Sequence, residues 1–551
     1  MNRQRWLIAL TVGMVLALVA VACAPAPAPT SAPPPATPAT AAPVATTAPS
    51  ATKAAPATGP TAATAAPTQG GVLRISIVPD ATIIGYPVTM VKLYDFEFAL
   101  TSLETLIRFD KTGAPIPNLA KTWKVDPAAK TISLTLQQGV KFQDGTDFNA
   151  KVAKWNLDSI RNSTRTELKP VSSIDVVDDY TLRLNLSTFD NSILTNLGGP
   201  AGLMISEAAF EKNGAAWAEK NPVGTGPFQL VSWQRDVKQV YKKFDGYWRK
   251  GEPYLDGVEW DIVADPMVRL ASFQRGEADV TVDVEPSAAK QMETEGKYRI
   301  GSLVSGLYGL TGDSANASSV FANIKVRQAV EYAIDKQAIC DTLGYGYWTP
   351  LYQPAVPGGW AENPNLVGYK YDPAKAKQLL AEAGYPNGFK TTIYTMNSPQ
   401  IIVDMLTAVQ GYLKAVGIDA QIDAMDHGRF GPIFSGTGWK DGLTMIPMGL
   451  SPDEIGMLNR LYLPGGVLIP SAARPPAVQQ KLAEIGAAAD FAAKQKLTWE
   501  LQKLMIDDNA MAIWLRTDTG LYAMQKNVHD DGFAVVPGTP WTPETAWMSK
   551  Q

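Results

Sequence analysis

The chain has 551 residues, more than one hydrophobic core usually supports, so two or more lobes are expected. With 46% hydrophobic and 19% charged residues it has the composition of an ordinary globular protein, which excludes disorder for the bulk of the chain. A formal net charge of -4 gathers no nucleic acid, and no nucleic-acid partner is expected.

Arg3 and Arg5 precede an uncharged apolar run, residues 6–22, that is short for a membrane span and reads as an export signal, residues 1–22. The run ends Leu18-Val19-Ala20-Val21-Ala22-Cys23, which resembles the lipobox of bacterial lipoproteins and makes Cys23 the expected lipidation site. Ala20-Val21-Ala22 is also a site for ordinary secretory cleavage, and an uncleaved anchor is the third reading. Residues 23–69 are nearly all Ala, Pro, Thr and Ser, with Lys53 the single charge, and form an extended tether rather than a core.

The folded part opens at Gly70-Gly71 with Val72-Leu73-Arg74-Ile75-Ser76-Ile77-Val78, whose alternation predicts a strand. Residues 96–107 carry helical spacing, residues 131–136 alternate strictly, and residues 138–145 read as a turn and short strand. Residues 171–186 predict a strand pair turned at Asp178-Asp179. Residues 325–339 predict one amphipathic helix with Val326, Ala329, Val330, Ala333 and Ile334 inward, on which Arg327 and Asp335 share a face and suggest an ion-pair network. Asp372-Pro373 opens a further helix over residues 374–383. The class is mixed α/β.

Several segments stand in order along the chain: Leu119-Ala120-Lys121-Thr122-Trp123, then Leu136-Gln137-Gln138-Gly139-Val140-Lys141-Phe142-Gln143-Asp144-Gly145-Thr146, then Val223-Gly224-Thr225-Gly226-Pro227-Phe228. Gly246-Tyr247-Trp248, Gln274-Arg275-Gly276-Glu277-Ala278-Asp279, Val326-Arg327-Gln328-Ala329 and Ala333-Ile334-Asp335-Lys336 follow. Over residues 70–530 the set resembles the peptide/nickel-type solute-binding proteins, family 5, the dipeptide and oligopeptide binders of ABC importers; Gln137 and Gln143 stand where the family usually has Arg and His. The resemblance implies a periplasmic-binding-protein-like two-lobed fold of class II with an extra subdomain, closing on a hinge around ligand. It places lobe I at residues 70–110, 218–305 and 515–551, the extra subdomain at 111–217 and lobe II at 306–514. The implied protein is an extracytoplasmic, lipid-anchored monomer that passes a peptide or another small polar solute to membrane permease subunits.

The glycines of residues 223–228 read as a tight turn, since no Gly-Lys-Ser/Thr ending makes them a phosphate loop, and Asp144 and Asp279 read as turn and cap residues. No nucleophile elbow, His-Glu-x-x-His, Cys-His pair or Walker loop is present, so no catalytic residue is assigned, although an Asp261 and Glu277 glycosidase pair is compatible with sequence alone. His427 and His529 have no nearby Cys, so no metal site is expected, and no motif implies a cofactor. Cys340 reads as a buried thiol.

The candidate ligand-binding residues are Tyr86, Tyr308, Trp439, Asp441 and Asp453, aromatic or acidic groups in Gly-rich or Pro-rich loops. The resemblance implies an acidic residue for a peptide's α-amine just before an Asp-Pro-Asp-like turn, but the stretch here ends Gly449-Leu450-Ser451-Pro452-Asp453, leaving Asp453 or Asp441 to substitute. Trp348, Trp360 and Trp439 could stack on sugar rings, which makes an oligosaccharide the alternative ligand. A surface sensor lipoprotein and an extracellular hydrolase are the remaining readings.

Overall fold

The computed structural model describes residues 66–550, apart from 91, 111–112, 452, 465, 467 and 530–542. The export signal, Cys23 and the tether through residue 65 lie outside the described residues. No helix among the described residues is long and apolar enough to cross a membrane.

The strands that organise the fold are β1 (Val72–Ile77), β2 (Ala120–Asp126), β3 (Thr131–Leu136), β4 (Val171–Asp178), β5 (Thr181–Leu186), β6 (Phe228–Gln234) and β7 (Lys238–Lys243). They continue with β8 (Gly257–Ile262), β9 (Val280–Val282), β10 (Arg299–Gly312), β11 (Phe389–Met396), β12 (Ile418–Met425), β13 (Gly442–Gly449) and β14 (Ile513–Met524). Ten of them form one mixed sheet in the order β6-β7-β8-β1-β9-β14-β10-β13-β11-β12. Its two halves are joined through β14 and β10, which pair antiparallel from Arg299 opposite Met524 to Leu310 opposite Ile513. The register slips between Val304 and Gly306 and again between Tyr308 and Gly309, and such bulges bend a strand and increase its twist.

Each half of the sheet has its own core. Leu73, Ile75, Phe98, Phe228, Tyr241 and Trp260 pack on the first half. On the second, Leu310, Val330, Leu379, Ile393, Leu406 and Leu443 form one cluster, and Leu307, Ile446, Leu458, Leu482 and Trp514 another. A separate four-stranded sheet, β2-β3-β5-β4, carries a third core in which Ile132, Leu134 and Leu136 alternate inward along β3 as the sequence requires.

Three expectations about the helices change in the structure. Residues 96–107 hold only the end of a helix, α1 (Leu93–Ala99), after which Glu104–Thr105 and Ile107–Phe109 are short strands. The single helix expected over 325–339 is two, α2 (Ile324–Ala333) and α3 (Lys336–Gly344), because Ile334 is extended and the Asp335 carboxylate accepts a bond from Ala338 N at 3.0 Å, capping the second. The apolar stripe from Val326 to Ile334 is nevertheless buried as expected. Arg327 and Asp335 form no network: Arg327 instead donates to the carbonyls of Phe321, Ala322, Asn509 and Ala510. The buried ion pair nearby is Lys336 with Glu331, 2.6 Å.

Three of the sequence motifs lie where the sheets are joined. The Glu104 carboxylate accepts bonds from Thr225 Oγ1, Tyr247 Oη and Trp248 Nε1 at 2.8, 3.1 and 2.8 Å, gathering two of the motifs on one buried acid. Gln143, in the place of the family's His, donates to the carbonyls of Gly226 and Phe228 at 3.1 and 2.8 Å. Asp279 is more than a cap, taking Arg74 Nε and Nη2 at 2.9 Å each. Gly224 and Gly226 are required by close approach rather than by turn conformation: a Cβ on Gly224 would stand 2.3 Å from the Ser102 carbonyl oxygen, and one on Gly226 2.7 Å from it.

Gly224→Ala should therefore lower the unfolding free energy by about 1–3 kcal/mol in urea titrations, the usual cost of overpacking. Gly411 lies inside the helix Gln400–Ala415, and a Cβ added to it would meet no heavy atom within 4 Å. It should respond oppositely, Gly411→Ala gaining roughly 0.5–1 kcal/mol.

Candidate functional site

Between the four-stranded subdomain and the second half of the main sheet lies a cleft containing two cavities. The first, about 300 Å³, is walled on one side by Trp123 and Ile132 of β2 and β3 and by Leu194, and on the other by Trp360, Phe491 and Lys494. The second, about 270 Å³, lies between Phe96 of α1, Phe109 and the 198–200 turn on one side and Leu450 and Ser451 on the other. Thr195 and Asp453 line both. Volumes of this size fall near the lower end of the roughly 300–1,000 Å³ common for small-molecule sites.

The polar centre of the cleft is an ion pair. Lys494 Nζ lies 2.9 Å from Asp453 Oδ2, and both side chains are more than nine-tenths buried. The lysine projects from the helix Phe491–Lys503, whose N-terminus is capped by Asp490, and its ammonium stands 5.5 Å from the Trp360 ring centroid. Asp453 also accepts a bond from Ile455 N at 3.3 Å, so the 449–453 stretch after β13 delivers the acid into the cleft. A buried pair of opposite charges walled by aromatic rings can exchange partners with a zwitterionic solute, whose ammonium and carboxylate need the same compensation.

The five residues singled out in the sequence fall in different places. Asp453 lines both cavities. Tyr308 sits on the hinge strand β10 with the Arg516 guanidinium over its ring at 4.6 Å, and burial pushes its hydroxyl up to about 12. Tyr86 packs at a tilt against Phe210, centroids 5.0 Å apart, beside the α1 cluster. Trp439 is packed in the second-half core with Nε1 bonded to the Gly442 carbonyl oxygen at 3.1 Å. Asp441 is exposed at the start of β13, whereas the cleft is reached from its end, about 25 Å away at the rise of a strand.

Among the other tryptophans, Trp348 covers the Arg516 guanidinium at 3.6 Å and Trp360 lines the cleft. Trp123, Lys494 and Phe491 were not singled out. Trp123 lies inside one of the motifs and reads as framework, and the others lie on a helix with no distinguishing pattern; only the juxtaposition of the subdomain and lobe II marks them.

The model of the bacterial extracellular solute-binding proteins, family 5, matches residues 114–456. The chain belongs to this family. It is 33% identical over 495 residues to the glutathione-binding protein GsiB of Pectobacterium atrosepticum, covering 86% of this chain and 94% of that one. Its fold matches the agropinic acid complex of AgaA from an Agrobacterium tumefaciens strain at TM-score 0.67 and 26% identity, covering 87% and 99% of the two chains. It matches the ABC transporter substrate-binding protein CtaP of Listeria monocytogenes at TM-score 0.76 and 22% identity, covering 88% and 100%. A family 5 solute-binding protein has the two-lobed class II fold and is the extracytoplasmic capture subunit of an ABC importer, with a small-molecule or peptide ligand and membrane permeases as partners.

The carboxylates weighed as a glycosidase pair are otherwise engaged. Asp261 pairs with Lys238 at 3.0 Å, and Glu277 lies exposed against Arg275, whose hydrogen bonds hold its carboxyl down at about 2. Such a carboxylate cannot serve as a general acid near neutral pH. Among the described residues no group of three His, Cys, Asp or Glu could hold a metal ion.

Beside the cleft, burial raises the Glu454 carboxyl to about 8, although it accepts the Val356 amide at 2.8 Å. A carboxyl raised in the folded state binds more protons there than in the unfolded state, so it makes stability fall as pH rises from about 4.5 to about 8. Urea titrations across that window should show a shallower decline for Glu454→Gln than for the wild type. Lys494→Ala should cost about 3–5 kcal/mol in the same assay by leaving Asp453 buried without its partner.

Proposed function

We propose that this solute-binding protein captures short peptides of about glutathione size, holding the ligand's ammonium on Asp453 and its carboxylate near Lys494 while Trp123 and Trp360 close on its body. The observation that carries the reading is the buried Asp453–Lys494 pair lining the cleft between the subdomain and lobe II. It supplies the acid that the 445–452 stretch lacks, and the 33% identical relative named for glutathione binding supports the ligand class. Residues 70–110, 218–305 and 515–551 move as lobe I, 111–217 as an extra subdomain and 306–514 as lobe II. The protein is a monomer that binds without turnover, is anchored through an acylated Cys23, and stays near its permease through the 23–69 tether.

A thermal-shift series with reduced glutathione, di- to hexapeptides and oligosaccharides tests the ligand class. Peptides at 100 times their Kd should add about 2.7 kcal/mol to the stability of the wild type. In Asp453→Asn the peptide Kd should rise at least about tenfold, a loss of roughly 1.4 kcal/mol. Shifts with oligosaccharides alone would overturn the peptide reading in favour of the aromatic walls. Cys23→Ser should release the protein from the membrane fraction; unchanged retention would contradict the lipid anchor.

A further inference from the structure

We infer that Asn191 is a latch that draws the extra subdomain onto lobe II by capping a helix there, setting how much of the cleft is closed before any solute arrives. The inference takes the cleft from the proposed function but not its ligand. Asn191 precedes a one-turn helix, Ser192–Asn196, whose Ile193 is packed into the core of the four-stranded subdomain together with Leu197. Asp190 fixes that start, its carboxylate accepting the Ser192 amide at 2.9 Å. Across the cleft, the helix Pro476–Gly486 is packed through Val478, Leu482 and Ile485 into the second-half core.

The last carbonyls of a helix have no partner within it and carry partial negative charge. Here the carbonyls of Ile485 and Gly486, and that of Ala488 just past the helix end, receive donors from the four-stranded subdomain. The Asn191 side-chain amide donates to the Ile485 carbonyl oxygen at 2.7 Å and to that of Ala488 at 3.1 Å, and its backbone N–H donates to that of Gly486 at 3.0 Å. All three acceptors are backbone groups, so the contact forms without a ligand, although Asn191 and Ala488 also stand at the edge of the first cavity. On opening, water replaces the donors, so the latch is reversible and its net value is that of a few neutral hydrogen bonds. A latch of that size shifts the open–closed equilibrium, and with it the apparent affinity of any solute that binds the closed state.

Amide hydrogen exchange on the full chain, without added solute, reads the latch directly. In the wild type the Asn191 amide should exchange slowly. Asn191→Ala should speed exchange in residues 190–197 and 485–490 about tenfold while leaving the sheet strand β14 and the melting temperature unchanged. Asn191→Asp retains the shape but turns a carboxylate toward the negative end of the helix, and should open the cleft further than alanine does. Exchange at Asn191 as fast as at an exposed amide, or unchanged exchange in both variants, would overturn the latch. Faster exchange throughout β14 would mark a folding defect and overturn it as well. Glutathione titrated into the same proteins should bind the alanine variant more weakly by the factor seen in exchange. If it does not bind the wild type, the ligand reading fails while the exchange result still decides the latch.

Discussion

The β10–β14 ribbon is the constraint on which the other features depend. In the main sheet it stands between the half carrying β1 and β8, to which β14 is paired through β9, and the half carrying β11 to β13, to which β10 is paired through β13. The lobes therefore cannot separate; they can only rotate by bending it. Its register slips fall beside Ser305 and Tyr308, and Ser305 Oγ donates to the Asp518 carbonyl oxygen across the ribbon at 3.2 Å. Arg516, its guanidinium between the Tyr308 and Trp348 rings, donates to the Thr517 carbonyl oxygen at 2.7 Å in the same stretch. Packed cores on either side leave the bulged ribbon as the compliant element, a geometry suited to hinge closure.

Closure then becomes a matter of what meets across the cleft. A solute that touches both lobes favours the closed state by its differential affinity, and the walls here offer one apolar face around Trp123 and Ile132 and one charged face around Lys494 and Asp453. The division is chemically useful. The charged face gives orientation to a zwitterion, whereas the aromatic and aliphatic face gains from excluding water whatever the side chains of the solute are.

Much of the scaffold was legible because its periodicity is local. The alternation of β1 and β3, the hairpin at Asp178-Asp179, the inward stripe of residues 326–334 and the helix opened by Asp372-Pro373 all follow from spacing and turn chemistry. The break at Ile334 was hidden because the apolar stripe continues across it, and only the capping geometry of Asp335 shows that the helix stops and restarts. Three of the motifs proved to be joints between sheets, with Glu104, which no motif marks, as the acid on which two of them converge. The cleft was the least legible part. Asp453 was visible as an acid in a loop, but Trp439, in the same stretch of chain, turned inward to bond Gly442, and Trp123 and Lys494 face a cavity that exists only when distant segments meet.

The most direct test is a crystal structure of the protein with a short peptide bound. The account predicts ligand density between the lobes, its amino group within hydrogen-bonding distance of Asp453 and its body in contact with both Trp123 and Trp360. A peptide lying against one lobe alone, or in any part of the molecule away from Asp453 and Lys494, would contradict it.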